Sequence, residues 1–302
     1  MEVYNIQEKD LNKFILSAND NPDLKRTVES LWKDGFSKPA WCFVLEEEKI
    51  IGRIGYWASP DNKREVRIFG LLLPWEREDL LTIGEKILTE SLQKMKKQGA
   101  KYVNYQIHTE EDKPVDTLKQ IFKLAGMKQI QAKKRYKLSK KTYESIAKNR
   151  LNYKSLKEVG KDLFIEVIKK VTRGTLDKED ELSVSNLGEQ KDAKNHLNNL
   201  KDIDFSPPNW FVGYKNKEIV GLVVPQKLNK ELGTINYIGV VPEKRGHGYV
   251  IDLLDKGIKN LFNRNIFNII ADIDRSNFPM ENALLKLGFK DEKEIFVNRL
   301  VL

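Results

Sequence analysis

The sequence carries one pattern twice. Strand-like runs with a glycine at the same place occur at 49–57 (KIIGRIGYW) and 218–224 (EIVGLVV), and Gly221 lies 169 residues after Gly52. Three further pairs of matching segments follow in the same order, at 68–77 and 236–245, at 103–107 and 268–273, and at 122–128 and 284–290. Because unrelated segments rarely keep a near-constant separation, the repeat predicts two homologous domains.

Each copy reads as a hairpin, a strand leading into a helix, a further strand, a short helix and a final strand. The first helix has an apolar face in both copies, formed by Leu80, Ile83, Ile87, Leu88 and Met95 in one and by Val250, Leu253, Leu254, Ile258, Leu261 and Phe262 in the other. A polar, lysine-rich stretch at 137–158 separates the copies. We predict an α/β chain of two tandem domains, 1–145 and 151–302, each a mixed, largely antiparallel sheet flanked by helices.

The opening of the second copy also has a helical pattern. Phe164, Val167, Ile168 and Val171 form one apolar stripe. The polar segment that follows, TRGTLDKEDELS at 172–183, predicts a connection between helices. Connections held beside a rigid scaffold often carry substrate contacts, so this segment is of interest for function.

Composition excludes several classes of protein. The chain contains no apolar run of the length that a membrane helix requires, and its first residues do not resemble a signal peptide. Cys42 is the only cysteine, and the three histidines, His108, His196 and His247, lack metal-ligand spacing. We therefore expect a cytoplasmic protein without a metal or a disulfide. The net charge of +9 suits an anionic ligand but also describes an ordinary basic surface.

One short motif predicts a ligand. In the second copy RGHGYV (245–250) stands between a strand-like run and a helix-like one. Glycines at such a turn let the backbone approach a ligand, and the free N–H groups of the first helical turn bind anions. With Lys244 and Arg245 beside them, the fitting ligand is a phosphate or pyrophosphate. The alternative is a tight turn with solvated cations.

The surroundings of this motif favour the first interpretation, because the second copy resembles the Gcn5-related N-acetyltransferases, the GNAT family. The family signature, R/Q-x-x-G-x-G/A, is matched at Arg245 and Gly248, with Val250 at the third position. The flanking sequences YIGVVPEKRGHGY and DRSNFPMENALLKLGFK resemble the family as well. The resemblance covers most of 151–302.

The resemblance implies a site for acetyl-CoA as the co-substrate. The backbone of Arg245, Gly246, His247, Gly248, Tyr249 and Val250 would hold the pyrophosphate of coenzyme A. Two parting strands would admit its pantetheine arm, with Ile238 and Val240 bonding that arm. Asn277 would bond the arm or, equally, cap the following helix.

The resemblance also implies acyl transfer to an amine, which must be neutral when it attacks. Many family members protonate the leaving thiolate with a tyrosine, but this chain has Leu284 at that position. Candidates for the base are Tyr237 and Asn236, with Glu231 as a weaker third. Burial in the sheet is the alternative role of Tyr237.

The first copy resembles a GNAT domain that has lost the glycine loop, the segment that corresponds to 245–250 of the second copy. Glu78 and Leu80 stand where the second copy has glycines, and Asp79 adds a further negative charge beside Arg77. Carboxylates at this place would repel a pyrophosphate. We therefore expect the domain at 1–145 to bind no coenzyme A.

Two functional classes follow from these observations, and a third ranks below them. The first is an N-acetyltransferase acting on a small-molecule or peptide amine, without membrane or nucleic-acid partners. The second is a non-catalytic acyl-CoA-binding or interaction module, suggested by Leu284. The third is a tandem-GNAT aminoacyl transferase that uses charged tRNA, which would not require the intact glycine loop.

Overall fold

The computed structural model describes residues 1–15, 23–109 and 114–302, and they form two compact units. The first unit comprises 1–130 together with 295–302, and the second comprises 131–294. These units do not coincide with the predicted ranges 1–145 and 151–302, because each sheet is completed by a strand from the far side of the predicted boundary. The predicted ranges describe the two copies of the sequence pattern, and as domain boundaries they stay a prediction.

The first unit alternates strands and helices. Its elements are β1 (Glu2–Asn5), α1 (Leu11–Ile15), α2 (Leu24–Lys33), β2 (Cys42–Glu46), β3 (Ile50–Trp57), β4 (Glu65–Leu72), α3 (Leu80–Lys97), β5 (Tyr102–His108) and α4 (Val115–Leu124). The next strand, β6 (Lys128–Ser139), begins in this unit and continues into the second.

The second unit has the same order with more helices at its start. Its elements are β7 (Asn152–Ser155), α5 (Leu156–Thr172), α6 (Lys178–Leu187), α7 (Glu189–Asp204), β8 (Phe211–Lys215), β9 (Glu218–Lys227), β10 (Leu232–Val240), α8 (Tyr249–Asn263), β11 (Asn268–Asp274) and α9 (Phe278–Lys286). The last strand, β12 (Lys290–Val301), begins here and ends in the first unit.

The sheets of the two units repeat one topology. The strand order is β1-β2-β3-β4-β5-β12 in the first unit and β7-β8-β9-β10-β11-β6 in the second. Within each, one described pair is parallel, β4 with β5 and β10 with β11, over three residue pairs in both cases. The closing strand pairs antiparallel to β5 or β11. The predicted fold class, two mixed and largely antiparallel sheets with flanking helices, is confirmed.

Helices cover both faces of the second sheet. On one face Leu253, Leu254, Ile258 and Leu261 of α8 are fully buried, as the apolar pattern predicts. On the other face the stripe Phe164, Val167, Ile168 and Val171 of α5 packs with α7. The segment 172–183 is a connection only as far as Asp177, because α6 begins at Lys178.

Two kinds of feature are absent from the described residues. None of the described helices is both long and apolar enough to cross a bilayer. Within the same residues, no three His, Cys, Asp or Glu side chains are grouped as a metal site would require.

Candidate functional site

The sheet of the second unit opens between its two parallel strands. β10 pairs with β11 only from Leu232 to Thr234, whereas β11 stays paired with β6 as far as Asp274. Opposite β9, the register of β10 shifts between Ile235 and Tyr237, which is the signature of a β-bulge. A bulge bends its strand and increases the local twist, so β10 leaves β11 from this point onward.

Pro225 of β9 marks the position of the bulge. It lies opposite Ile235, where the register shifts, and a proline has no N–H group to donate to the ladder. Sequence reasoning placed the parting of the strands here from the resemblance alone. A proline within the apolar strand EIVGLVVPQK is a signal that could have predicted it independently.

The opening contains a cavity of about 110 Å³. Its walls come from both parting strands, from α8 and α9, from the connection between α5 and α6, and from the first turn of α6. The lining residues are Thr175, Asp177, Asp180, Ile235, Asn236, Tyr237, Ile238, Leu254, Ala271, Asp272, Ile273, Asp274, Asn277, Met280 and Leu284. One part of this lining is apolar and another part is acidic.

Of the two predicted positions on β10, one lines the cavity and the other is engaged by Arg245. Val241 donates its N–H to Val220 of the neighbouring strand. Backbone groups alternate between the two sides of a strand, so Val240 and Ile238 direct theirs away from β9. The carbonyl of Val240 accepts from Nε of Arg245 at 3.0 Å, whereas Ile238 lines the cavity.

The glycine loop leads directly into α8. Gly246 and Gly248 have φ of 79° and 72°, in the left-handed region that favours glycine. Arg150 donates to the carbonyls of His247 and Gly248 at 2.9 and 3.0 Å. In a trans peptide the N–H points away from the preceding C=O, so the N–H groups of Gly248 and Tyr249 are directed away from Arg150. They lie at the positive end of the helix dipole, where an anion is stabilised.

The two cations beside the loop are engaged by the protein itself. The guanidinium of Arg245 donates to the carbonyls of Val171, Arg173 and Gly174 at 2.7–2.9 Å, in addition to Val240. Arg245 therefore joins the end of α5 to β10.

Lys244 forms an ion pair with Glu218. Of the remaining loop residues, His247 is exposed, Tyr249 is buried and Val250 is half-buried. The backbone N–H groups of the loop are therefore the groups that remain available to an anion, since both cations are engaged.

The predicted catalytic candidates are both held by neighbours. The hydroxyl of Tyr237 bonds with that of Thr172 at 2.9 Å, and burial raises the pKa of this phenol well above its ordinary value. Its ring lies against the imidazole of His196, with ring centroids 4.0 Å apart. The amide of Asn236 donates to Gln226, which is fully buried. Tyr237 therefore stays protonated near neutral pH, and Asn236 has no basic group.

Two residues of α9 complete the opening. The side chain of Asn277 accepts from the N–H of Met280 at 3.3 Å, so Asn277 caps α9 while also lining the cavity. Leu284 is fully buried within the core beneath α8. The position at which many family members carry a tyrosine therefore supplies packing and no proton.

Sequence reasoning missed the acidic part of the cavity. Asp177 caps α6, accepting from the N–H groups of Glu179 and Asp180, and Asp180 follows in the first turn of that helix. Burial and the charges of Asp177 and Asp192 raise the pKa of Asp180 to about 7. Burial also lowers the pKa of His196, whose Nδ1 lies 3.7 Å from Asp180. The three consecutive acids in KEDELS (178–183) resemble an ordinary solvated helix start, so the sequence gives no sign of this environment.

Comparison with known proteins identifies the second unit. Residues 178–289 match the model of the acetyltransferase (GNAT) family. These residues form a GNAT domain. The search of curated proteins found no significant match.

Solved structures share the fold over the whole chain. A GCN5-related N-acetyltransferase from Sphaerobacter thermophilus matches with a TM-score of 0.65 and 12% identity, covering 99% of this chain and 95% of that one. A tandem GNAT protein from the clavulanic acid biosynthesis pathway gives 0.59 and 13%, covering 99% and 98%. A GNAT-family acetyltransferase from Colwellia psychrerythraea gives 0.52 and 12%, and covers both chains completely. At these identities the likeness concerns the fold.

The first unit differs from the GNAT domain at the corresponding loop. Arg77 pairs with Asp79 and with Glu47, each at 2.8 Å, so its charge is already balanced. No residue from 75 to 79 has a positive φ. Leu80, at the start of α3, is buried. The interpretation of this unit as a degenerate GNAT copy remains a prediction.

Proposed function

We propose that the chain is an acyl-CoA-dependent N-acyltransferase that transfers an acetyl group from acetyl-CoA to an amine. The observation that carries this proposal is that the glycine loop and the parting of β10 from β11 occur in one GNAT domain. The loop offers backbone N–H groups to a pyrophosphate, and the opening offers an unpaired strand edge to an extended chain.

The residues present fit the coenzyme. The N–H groups of Gly248 and Tyr249, directed away from Arg150, would bond the pyrophosphate. Ile238 would bond the amide-containing arm as a neighbouring strand does. A side chain at Gly246 would meet no atom within 4 Å, so this side of the loop is open to a ligand.

The chemistry follows from what the cavity offers. An amine that enters beside β10 attacks the thioester carbonyl directly, in a complex with both substrates. Leu284 donates no proton, so the sulfur leaves as a thiolate, which is a tolerable leaving group near neutral pH. The Tyr237 hydroxyl donates to that of Thr172, which itself donates to the carbonyl of Ile168, and its raised pKa excludes it as the base.

A second candidate is a module that binds acyl-CoA without catalysis. The observation in its favour is Leu284, which stands at the position of the usual proton donor and is fully buried. This candidate predicts tight acyl-CoA binding with no turnover for any amine.

One assay separates the two candidates. Acetyl-CoA is incubated with the full chain and a panel of amines, and release of the free thiol is followed. Acetyl-CoA affinity is measured calorimetrically on the same sample. Binding with amine-dependent thiol release supports the transferase, and binding without release for the whole panel supports the module. Absence of acetyl-CoA binding contradicts both.

A further inference from the structure

The cavity is acidic although the chain is basic. Four of its lining residues are aspartates, Asp177, Asp180, Asp272 and Asp274, and the described lining contains no lysine or arginine. The chain as a whole has a net charge of +9. An acidic wall within a basic protein selects a cationic ligand over a neutral or anionic one.

Three of these aspartates already have strong partners. Asp272 is held bidentately by Arg135, with both N···O distances at 2.7 Å. Asp177 caps α6, and Asp274 accepts from the N–H and the hydroxyl of Ser276. Their carboxylates therefore shape the field of the cavity but are committed to the protein.

The carboxylate of Asp180 lacks such a partner among the described residues. Among the described residues, none donates a hydrogen bond to its carboxylate, and the nearest basic atom is Nδ1 of His196 at 3.7 Å. Its side chain is 19% exposed, so the carboxylate is largely buried yet reaches the cavity. A buried carboxylate without a donor is costly, and a cation or a proton supplied from the cavity removes that cost.

The groups that surround Asp180 leave it facing net negative charge. They come from its own helix start, from α7, and from the three strands β6, β10 and β11. They are Asp177, Glu179, Asp192, His196, Lys133, Tyr237 and Asp274. Lys133 lies within 3.7 Å of both Asp177 and Glu179, and desolvation lowers the pKa of the half-buried His196. Lys133 is thus paired with other carboxylates.

A buried amide provides an independent sign of a missing partner. Gln131 is 3% exposed, and its amide nitrogen donates to Asp177 and to Asp274. Its amide oxygen is buried and accepts no hydrogen bond from the described residues. Buried acceptors are nearly always satisfied, so this oxygen lacks a donor, on a side chain that contacts two aspartates of the cavity lining.

We propose that the acceptor is a cationic primary amine bound at this acidic end, and that Asp180 is the catalytic residue that accepts its proton. The proposal rests on the proposed transferase function. The ammonium gives one proton to the Asp180 carboxylate, and the neutral nitrogen then forms the N–C bond to the acetyl group. The C–S bond breaks with its electron pair going to sulfur, and the second nitrogen proton passes to that thiolate. The products are the amide, free coenzyme A thiol and protonated Asp180.

The surroundings of Asp180 suit this role. A base in general acid–base catalysis works best when its pKa lies near the working pH, and that of Asp180 is raised to about 7. The same negative surroundings that raise this pKa also attract the ammonium. A second positive charge on the acceptor would be stabilised by the negative field of Asp177 and Asp274, which line the same cavity.

The test combines two substrates and two variants. Thiol release from acetyl-CoA is measured with 1,6-diaminohexane and with 6-aminohexanoate, in which a carboxylate replaces the second amine. Asp180→Asn removes the base, and Glu181→Gln makes the same charge change at the next position, on an exposed side chain paired with Lys178. Acetyl-CoA affinity is measured calorimetrically for each protein.

We expect wild-type kcat/KM to be at least tenfold higher for the diamine than for the amino acid. Asp180→Asn should lower kcat by about 100-fold or more, as loss of a general base does, with acetyl-CoA affinity unchanged within about twofold. The rise of the wild-type rate through pH 7 should disappear in this variant. Asp180→Glu should recover part of the rate, and Glu181→Gln should behave as wild type.

The outcomes separate this inference from the function on which it rests. Equal rates with both amines, or undiminished turnover by Asp180→Asn, would overturn the inference while leaving the transferase intact. Failure of the wild type to bind acetyl-CoA, or to acylate any amine, would overturn both. If Asp180→Asn does not fold, the substrate preference and the Asp180→Glu pH profile decide.

Discussion

At the scale of single residues, the glycine loop depends on two backbone conformations that the sequence itself predicts. Gly246 and Gly248 have positive φ, and Arg150 fixes the loop by binding its carbonyls. Arg150 also determines which glycine gives the cleaner test. A Cβ on Gly248 would lie 3.7 Å from its guanidinium, so a carboxylate there would be partly neutralised.

Gly246→Asp should therefore weaken acetyl-CoA binding more than Gly246→Asn. Asp and Asn have nearly the same shape and both tolerate positive φ, so backbone strain cancels in the comparison. Only Asp adds a charge next to the pyrophosphate, and like charges brought together cost several kcal/mol. We expect at least about 100-fold weaker binding by calorimetry for Asp than for Asn. Equal acetyl-CoA affinities of the two variants would show that the pyrophosphate does not bind at this loop.

Asp180 should make the folded protein less stable as the pH rises. Its pKa is about 7 in the folded protein and near 3.8 ordinarily, so between these values the folded chain holds a proton that the unfolded chain releases. Stability therefore falls as the pH rises through this window. Asp180→Asn should gain about 1–4 kcal/mol relative to wild type between pH 4 and pH 8.

Urea denaturation at pH 4 and pH 8 measures this gain. Glu181→Gln, on the exposed face of the same helix, should show the same small difference at both pH values. A relative stability of Asp180→Asn that does not change with pH would mean that Asp180 titrates normally. Such a variant, more stable but less active, is typical of residues kept for function rather than for folding.

At the scale of secondary structure, the repeat predicted the order of elements and the apolar stripes predicted the buried helix faces. The sequence could not predict which sheet each closing strand completes. β6 and β12 follow equivalent helices in the two copies, and either could complete either sheet by its local pattern. Their partners are selected by long-range packing, which puts Tyr136 and Leu138 of β6 in the core of the second unit. The acidic environment of Asp180 could not be predicted for the same reason, because residues of α7 and β6, distant in sequence, contribute to it.

The exchange of strands predicts how fragments behave. The range 151–302 lacks β6, so β11 loses its partner and the core loses Tyr136 and Leu138. We expect this fragment to unfold without cooperativity or to aggregate, whereas 131–294 should unfold in one cooperative transition. Circular dichroism during thermal unfolding distinguishes the two. Cooperative unfolding of 151–302 at the temperature of 131–294 would show that β6 is dispensable.

At the scale of the whole molecule, the chain uses one fold twice, and the glycine loop occurs in one copy. The second unit has positive-φ glycines at its strand-to-helix turn, and the first has Arg77 paired with Asp79 and Glu47 at the corresponding place. Burying a phosphate beside carboxylates costs several kcal/mol unless cations compensate, and Arg77 is already engaged. We therefore expect one acetyl-CoA per chain, bound in the second unit.

Calorimetric titration of acetyl-CoA into the full chain tests this central claim most directly. We predict a single site per chain in the wild type, retained in Gly246→Asn and lost in Gly246→Asp. Two equivalent sites, no binding, or a single site that survives Gly246→Asp with unchanged affinity would contradict the account.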